Sequence, residues 1–144
     1  AALAGPSFTP LIERWRARDA AETLTSTLYW ARSEAIKRSG GITIDATGGW
    51  STGWKITHTQ GGVTTDIKVN PAPSKISIAQ SNSKTLLYVD RWGMLSETSG
   101  GAPSAMNFAV YPDGKTQTDA AAIRLCTTLG GRIAQVKQGA ACPA

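Results

Sequence analysis

Residues 10–39 constrain the fold most, because their apolar side chains recur at the spacing of one long amphipathic helix. Leu11, Ile12 and Trp15 begin the series, and its later members follow three or four residues apart. Such a spacing lines one face of a helix. The sequence therefore predicts a helix whose apolar face needs a partner. The later members are Ala21, Leu24, Leu28, Ala31 and Ala35.

Both ends of this stretch carry helix-boundary signals. Thr9 is predicted to cap the first amide groups, with Pro10 in the first helical position, where a missing N–H costs nothing. Lys37 and Arg38 oppose the helix dipole in the last turn, and Gly40-Gly41 favour a left-handed stop. A helix of this length measures about 45 Å, whereas the rest of the chain would have a radius of gyration of about 13 Å. We therefore expect one end of the helix to project.

From Ile42 onward the chain alternates between apolar and polar residues in short runs that are separated by turn sequences. Gly61-Gly62 and Gly130-Gly131 are the expected hairpin turns. One helix followed by antiparallel strands predicts an α+β fold, in which sheet covers the apolar face of the helix. Residues 1–41, with the helix, and residues 42–144, with a β-rich head, are expected to form one domain. The predicted strands are 42–46, 54–59, 63–69, 76–79, 86–90, 106–111, 123–128 and 132–137.

The charge of the chain is moderately positive and evenly spread. Fifteen Lys and Arg side chains oppose ten Asp and Glu, which gives a formal net charge of +5 in 144 residues. This balance permits binding to nucleic acid or to an anionic surface but does not require it. No block of Lys and Arg marks a binding segment.

Two cysteines, Cys126 and Cys142, lie close to the C-terminus. A disulfide between them would stabilise the fold by about 3 kcal/mol in a chain-entropy treatment and would place the protein outside the cytoplasm. The alternative is a pair of free thiols in a cytosolic protein. The disulfide also explains how a tail with no other anchor is held.

Two motifs suggest enzymes, but neither fits. Residues 49–53 match G-x-S-x-G, yet a nucleophile elbow requires a strand that turns into a helix. Here a predicted strand follows, and His58, the only histidine, lies on that strand. The Lys115-Thr116 pair resembles the end of a phosphate-binding loop, but Ala109 occupies the position of the required first glycine. We expect no catalytic residue, metal or cofactor.

The five tryptophans could stack on bases or sugars, but we interpret them as packing residues, because large aromatic side chains usually fill cores. They are Trp15, Trp30, Trp50, Trp54 and Trp92.

The first eight residues, AALAGPSF, are apolar and are too short to span a membrane, which takes about 20 residues. Two interpretations compete: the end of a longer hydrophobic segment, or a mature terminus left by signal-peptide cleavage. Continuity with the helix favours the first.

Taken together, the helix end WARSEAIKR at residues 30–38 and the strand WSTGWKI at residues 50–56 resemble the GspH/FimT family of minor type IV pilins and type II secretion pseudopilins. The likeness extends to Gly131-Arg132-Ile133 and to the cysteine pair. It implies a hydrophobic helix that anchors the protein in the inner membrane, facing the periplasm, and later packs into a filament. Residues 1–8 would then be the remaining part of that segment.

The resemblance implies a structural role without a cofactor. A minor pilin of this kind helps to initiate pilus assembly at or near the filament tip, with other minor and major pilins as partners. A secretion pseudopilin has the same architecture and is the alternative. The expected contact residues on the projecting helix are Leu11, Ile12 and Trp15.

Some relatives are DNA receptors for natural transformation, and they bind double-stranded DNA through a C-terminal G-R-x-R pattern. Gly131 and Arg132 match this pattern, whereas Ala134 occupies the position of its second arginine. Contacts with phosphates would make binding fall steeply with salt. The candidate DNA-binding residues are Arg132, Lys137, Arg124 and Lys115.

Overall fold

A computed structural model describes residues 8–143, so the expectations for residues 1–7 lie outside the described residues. One helix precedes nine strands, and a short 3-10 helix, Trp50–Thr52, lies between the first two strands. This arrangement confirms the α+β prediction. The elements are α1 (Thr9–Lys37), β1 (Ile42–Asp45), β2 (Gly53–Gln60), β3 (Val63–Pro71), β4 (Ile76–Gln80), β5 (Leu86–Val89), β6 (Leu95–Ser96), β7 (Met106–Pro112), β8 (Ile123–Thr127) and β9 (Ile133–Lys137).

Helix α1 begins one residue earlier than predicted. Phe8 occupies the N-cap position, Thr9 is already helical, and no side chain caps the first turn. The prediction that Thr9 is the cap is therefore wrong, although Pro10 does lie in the first turn, where its missing N–H removes no helical bond. The side of the helix that faces the sheets carries mostly alanines and is buried from residue 17 onward. Its buried apolar residues are Ala17, Ala20, Ala21, Leu24, Leu28, Ala31 and Ala35.

The C-terminal end of α1 closes through backbone and side-chain bonds. The N–H of Gly40 donates to Ala35 O at 2.7 Å. The chain turns left-handed at Ser39, with φ of 61°, before it reaches the glycines. Arg38 Nε donates to Glu34 Oε2 at 2.8 Å, and this bond holds the pKa of Glu34 below its ordinary value. The predicted stop is correct, but it starts one residue early.

The strands form two antiparallel sheets. The first has the order β3-β2-β1-β5-β6 and the second β4-β7-β8-β9. Gln60 pairs with Val63 across the predicted Gly61-Gly62 turn, and β8 and β9 form the predicted C-terminal hairpin. Strand β6 has only two residues, too few to give an alternating pattern, and was not predicted. Strand β9 begins at Ile133, so Arg132 lies in the turn and not in the strand.

The core lies between α1 and the sheets. The rings of Trp50 and Phe108 meet edge to face, with centroids 4.9 Å apart. Trp54 is also buried, and its Nε1 donates to Thr27 Oγ1 on the helix at 3.0 Å. Trp15 and Trp92 are 66% and 72% exposed. The prediction that all five tryptophans pack inside is therefore wrong for these two.

Ser51 has a structural role in this fold. Its Oγ accepts the N–H of Ile78, on edge strand β4, at 2.9 Å. The ring of His58 instead lies beside Gly41. Because Ser51 is engaged with the backbone of β4, the G-x-S-x-G match is a coincidence of sequence.

Strand β3 departs from the predicted alternation because its pairing with β2 is irregular. The register shifts opposite Ile56 and Thr57, so Ile67 has no directly paired residue. Val63 and Val69 are about two-thirds exposed, whereas Ile67 is half-buried. The alternation predicted for residues 63–69 is therefore interrupted, because an extra residue in one strand rotates those beyond it.

Arg32 joins the two sheets at the C-terminal half of the helix. Its Nε donates to Gly93 O, in the β5–β6 turn, at 2.7 Å. Its Nη1 donates to Gly131 O, in the β8–β9 turn. One guanidinium thus binds one turn from each sheet, and charge-assisted bonds of this kind are stronger than neutral ones.

Candidate functional site

The first two turns of α1 carry apolar side chains that the described part of the protein does not cover. Phe8, Leu11, Ile12 and Trp15 are 63%, 63%, 44% and 66% exposed. We call these four residues the N-terminal stripe. The side of this helix that faces the sheets is buried from Ala17 onward, but the stripe lies on the opposite side, since Trp15 is nine residues from buried Leu24, about 180° around the helix. The prediction that Leu11, Ile12 and Trp15 share one face with the later members of the series is therefore wrong. Leu11, Ile12 and Trp15 are therefore accessible, as a contact role requires.

The disulfide ties the C-terminal tail to the second sheet. Cys126, on β8, is bonded to Cys142, with 5.6 Å between their Cα atoms. Arg124 Nη1 donates to Ala140 O at 3.1 Å and holds the same loop. The two connections fix the tail without any further secondary structure.

The four candidate DNA-binding residues are not brought together. Arg124 is paired with Val136, one residue from Lys137, so alternation directs Arg124 and Lys137 to opposite faces of the sheet. Arg132 lies in the β8–β9 turn, and Lys115 lies in the loop after β7. No single surface presents all four cations.

Lys137 instead shares a groove with two helix residues that were not predicted. Arg14 and Arg18, on α1, line this groove together with Lys137, on β9. Arg14 also borders a neighbouring cleft that contains Lys115 and Asp119. The i, i+4 spacing of Arg14 and Arg18 was a signal in the sequence, but nothing in the sequence indicated that β9 would lie beside them.

Neither a metal-ligand group nor a membrane-spanning helix is found within residues 8–143. Within residues 8–143, no group of three or more His, Cys, Asp or Glu side chains is placed to hold a metal ion. Across the same residues, no helix combines the length and the apolar character needed to cross a membrane.

Residues 20–139 match the family described as type II transport protein GspH. Because the match covers most of the chain, the protein belongs to this family of minor pilins and pseudopilins, whose members are structural and not enzymatic. The predicted family is therefore confirmed. Membership implies association with other pilins and a location at a membrane or in a pilus.

Solved structures with the same fold come from two bacteria. Type IV minor pilin FimU of Pseudomonas aeruginosa strain PAO1, in space group P21, has a TM-score of 0.71 and 23% identity, over 88% of this chain and 92% of FimU. A second FimU crystal form, in space group P65, has a TM-score of 0.67 and 24% identity, over 85% of this chain and 94% of FimU. Minor pseudopilin EpsH from the type 2 secretion system of Vibrio cholerae has a TM-score of 0.61 and 13% identity, over 87% of this chain and 99% of EpsH. At these identities the likeness concerns the fold. No curated protein matches the sequence.

Proposed function

We propose that this protein is a minor type IV pilin that takes part in pilus assembly and its initiation, at or near the filament tip. The observation that carries the proposal is the N-terminal stripe: four apolar side chains, from Phe8 to Trp15, that are exposed together on one side of the first helical turns. Contiguous exposed apolar surface marks interaction sites. The occupants we propose for this surface are the helices of neighbouring pilins.

The proposed location follows from the same role. The protein is held in the inner membrane facing the periplasm and then enters the extracellular pilus. The Cys126–Cys142 disulfide supports this location, because such bonds persist in oxidising compartments.

The test is a deletion strain of the producing bacterium in which surface pili are counted by electron microscopy. The complete wild-type gene is expected to restore pili, whereas a gene with Leu11→Ser and Trp15→Ser is not. Val63→Ser with Val69→Ser is the matched control, because these valines on β3 are equally exposed, at 66% and 67%. Full piliation with the Leu11/Trp15 variant would contradict the proposed role of the stripe.

The same strain separates a pilus role from a secretion role. A type II pseudopilin shares family and architecture, so its deletion should abolish secretion of exoproteins and leave pili unchanged. Loss of pili with normal secretion supports the pilus role. The reverse result assigns the protein to the secretion system.

A second candidate is DNA binding during natural transformation, and the groove lined by Arg14, Arg18 and Lys137 favours it. Neutralising phosphates with these cations would release counterions, so affinity should fall steeply with salt. Gel shifts with double-stranded DNA at low and physiological salt test this, using Lys137→Ala and Arg14→Ala in the groove, with Lys84→Ala outside the groove as the control. Absence of binding at low salt removes the candidate.

A further inference from the structure

A second group of exposed apolar side chains lies at the other half of α1. Tyr29, Ile36, Trp92 and Leu129 are 45%, 58%, 72% and 61% exposed. We call these four residues the distal patch. They come from three separate parts of the chain: the helix, the β5–β6 turn and the β8–β9 turn.

Arg32 brings these three parts together. It donates to the carbonyls of Gly93 and Gly131, which are one residue from Trp92 and two from Leu129. Its Cζ lies 6.0 Å from the centroid of the Tyr29 ring. Ile36 packs over Gly93, since a Cβ at that glycine would lie 3.1 Å from Ile36 Cδ1. The four apolar residues therefore lie on three segments that meet at one guanidinium, and together they form one region of the surface.

The composition of the distal patch is that of a protein contact. Single exposed apolar residues are normal, but a contiguous group marks an interaction site. Trp, Tyr and Arg are the residues most enriched among those that dominate binding energy at protein interfaces. The backbone of the turn that carries Trp92 is fixed, because Asp90 Oδ1 accepts the N–H of Trp92 at 2.9 Å and that of Met94 at 3.0 Å.

The charge around the patch defines the chemistry of the partner. Arg91 and Arg132 lie in these two turns and are exposed. The carboxylate of Asp90 is engaged with backbone N–H groups, and Arg32 is engaged with two carbonyls. The available charge is therefore positive, which suits a partner with carboxylates beside apolar side chains. Two available arginines are few for a nucleic acid, whose affinity comes mainly from many phosphate contacts.

The position of the patch indicates how such a partner would be arranged. Leu11 and Arg32 are 21 positions apart on one continuous helix, which corresponds to about 32 Å. One small contact cannot cover both ends, so the N-terminal stripe and the distal patch are two separate contact surfaces. Contacts between unlike surfaces produce open, filamentous assemblies when the rotation does not close.

We infer that the distal patch is the docking surface for another subunit of the pilin family, one that presents carboxylates beside an apolar contact. This inference rests on the proposed function, because it assigns the distal patch to a second contact between the subunits of a filament. The N-terminal stripe contacts one neighbour, and the patch around Trp92 contacts the next.

Site-specific photo-crosslinking in piliated cells tests the inference with the complete gene product. A benzophenone amino acid replaces Trp92, and the adduct is purified and identified by mass spectrometry. We expect a pilin-family subunit as the adduct. The same probe at Val69, which is 67% exposed on β3, is the control and should give no such adduct.

A third probe position separates failure of this inference from failure of the proposed function. A pilin adduct at Leu11 with none at position 92 would overturn the inference and leave the proposed function standing. A nucleic-acid adduct at position 92 would also overturn it. If neither position gave a pilin adduct, both proposals would be wrong.

Charge reversal gives an independent readout. With the probe at position 92, Arg91→Glu together with Arg132→Glu should lower the adduct yield by roughly tenfold, as expected when a dominant contact is lost. Arg91→Lys together with Arg132→Lys keeps the charge and should restore most of it. A thermal melt of each variant checks the fold, which should be unchanged because these side chains are exposed. An unchanged yield in the Glu variant would refute the predicted partner chemistry.

Discussion

Replacing Gly131 with Ala tests whether Arg32 holds the two sheets together. A Cβ at this position would lie 2.6 Å from both Cζ and Nη2 of Arg32, so the guanidinium must leave its site. Gly131 also has φ of +84°, and a left-handed conformation costs an L-residue about 1–2 kcal/mol. Loss of one hydrogen bond from a charged donor costs about 1.5–3 kcal/mol. The expected loss in free energy of unfolding is about 2.5–5 kcal/mol from these two contributions.

Two other glycines separate these contributions. Gly139 has φ of +78° with no atom within 4 Å of an added Cβ, so Gly139→Ala measures the backbone cost alone. Gly130 lies outside the left-handed region, and its nearest atom would be 4.0 Å away, so Gly130→Ala should be close to neutral.

Urea unfolding with the disulfide intact, followed by tryptophan fluorescence, gives each free energy by linear extrapolation. In an Arg32→Ala background, Gly131→Ala should cost only the backbone contribution, about 1–2 kcal/mol. Equal losses for Gly131→Ala and Gly139→Ala in the wild-type background would refute the argument that the contact with Arg32 constrains this turn.

Three further predictions concern stability. The lowered pKa of Glu34 stabilises the fold above the ordinary value of 4.5, and this contribution is lost as pH falls through the lowered pKa. The stability advantage over Glu34→Gln in urea unfolding should therefore shrink as pH falls below 4.5, and a constant difference would contradict this prediction. Ser51→Ala should cost about 1–3 kcal/mol by leaving the N–H of Ile78 without its partner; Ser74→Ala, at an exposed serine two residues before the same strand, should cost less, and equal costs would count against this role. Reducing the disulfide should lower the free energy of unfolding by about 3 kcal/mol; no change after complete thiol labelling would contradict that value.

Local rules predicted most of the helix and most of the strands. The spacing of three and four between Leu24, Leu28, Ala31 and Ala35 identified residues that are now fully buried. Turn glycines located both hairpins, because positive φ values are a local property. The division into 1–41 and 42–144 stays a prediction.

Features that depend on distant parts of the chain were not predictable. Arg32 is separated from Gly93 by 61 residues and from Gly131 by 99, so no window along the sequence shows their contact. Trp92 was placed in the core because its residue type is usually buried, whereas its turn lies at the surface. The groove of Arg14, Arg18 and Lys137 likewise exists only because β9 packs beside the start of the helix.

The edges of the sheets explain why assembly should use the ends of the helix and not strand addition. Unpaired edge strands recruit other chains unless they are short, bulged, charged or covered. Strand β6 has two residues, and β4 is covered at Ile78 by Ser51. Strand β9, the other edge of the second sheet, has five residues and ends at Lys137.

Strand β3 is long, but its bulge and its charges protect it. Lys55 Nζ lies 3.2 Å from Asp66 Oδ1, and Lys68 lies over the Trp30 ring, 5.0 Å from its centroid. A second strand pairing with β3 would meet an irregular register and side chains that are already paired. The N-terminal stripe and the distal patch have no such protection, which supports the proposal that neighbouring subunits add at the two ends of α1 and not at the strand edges.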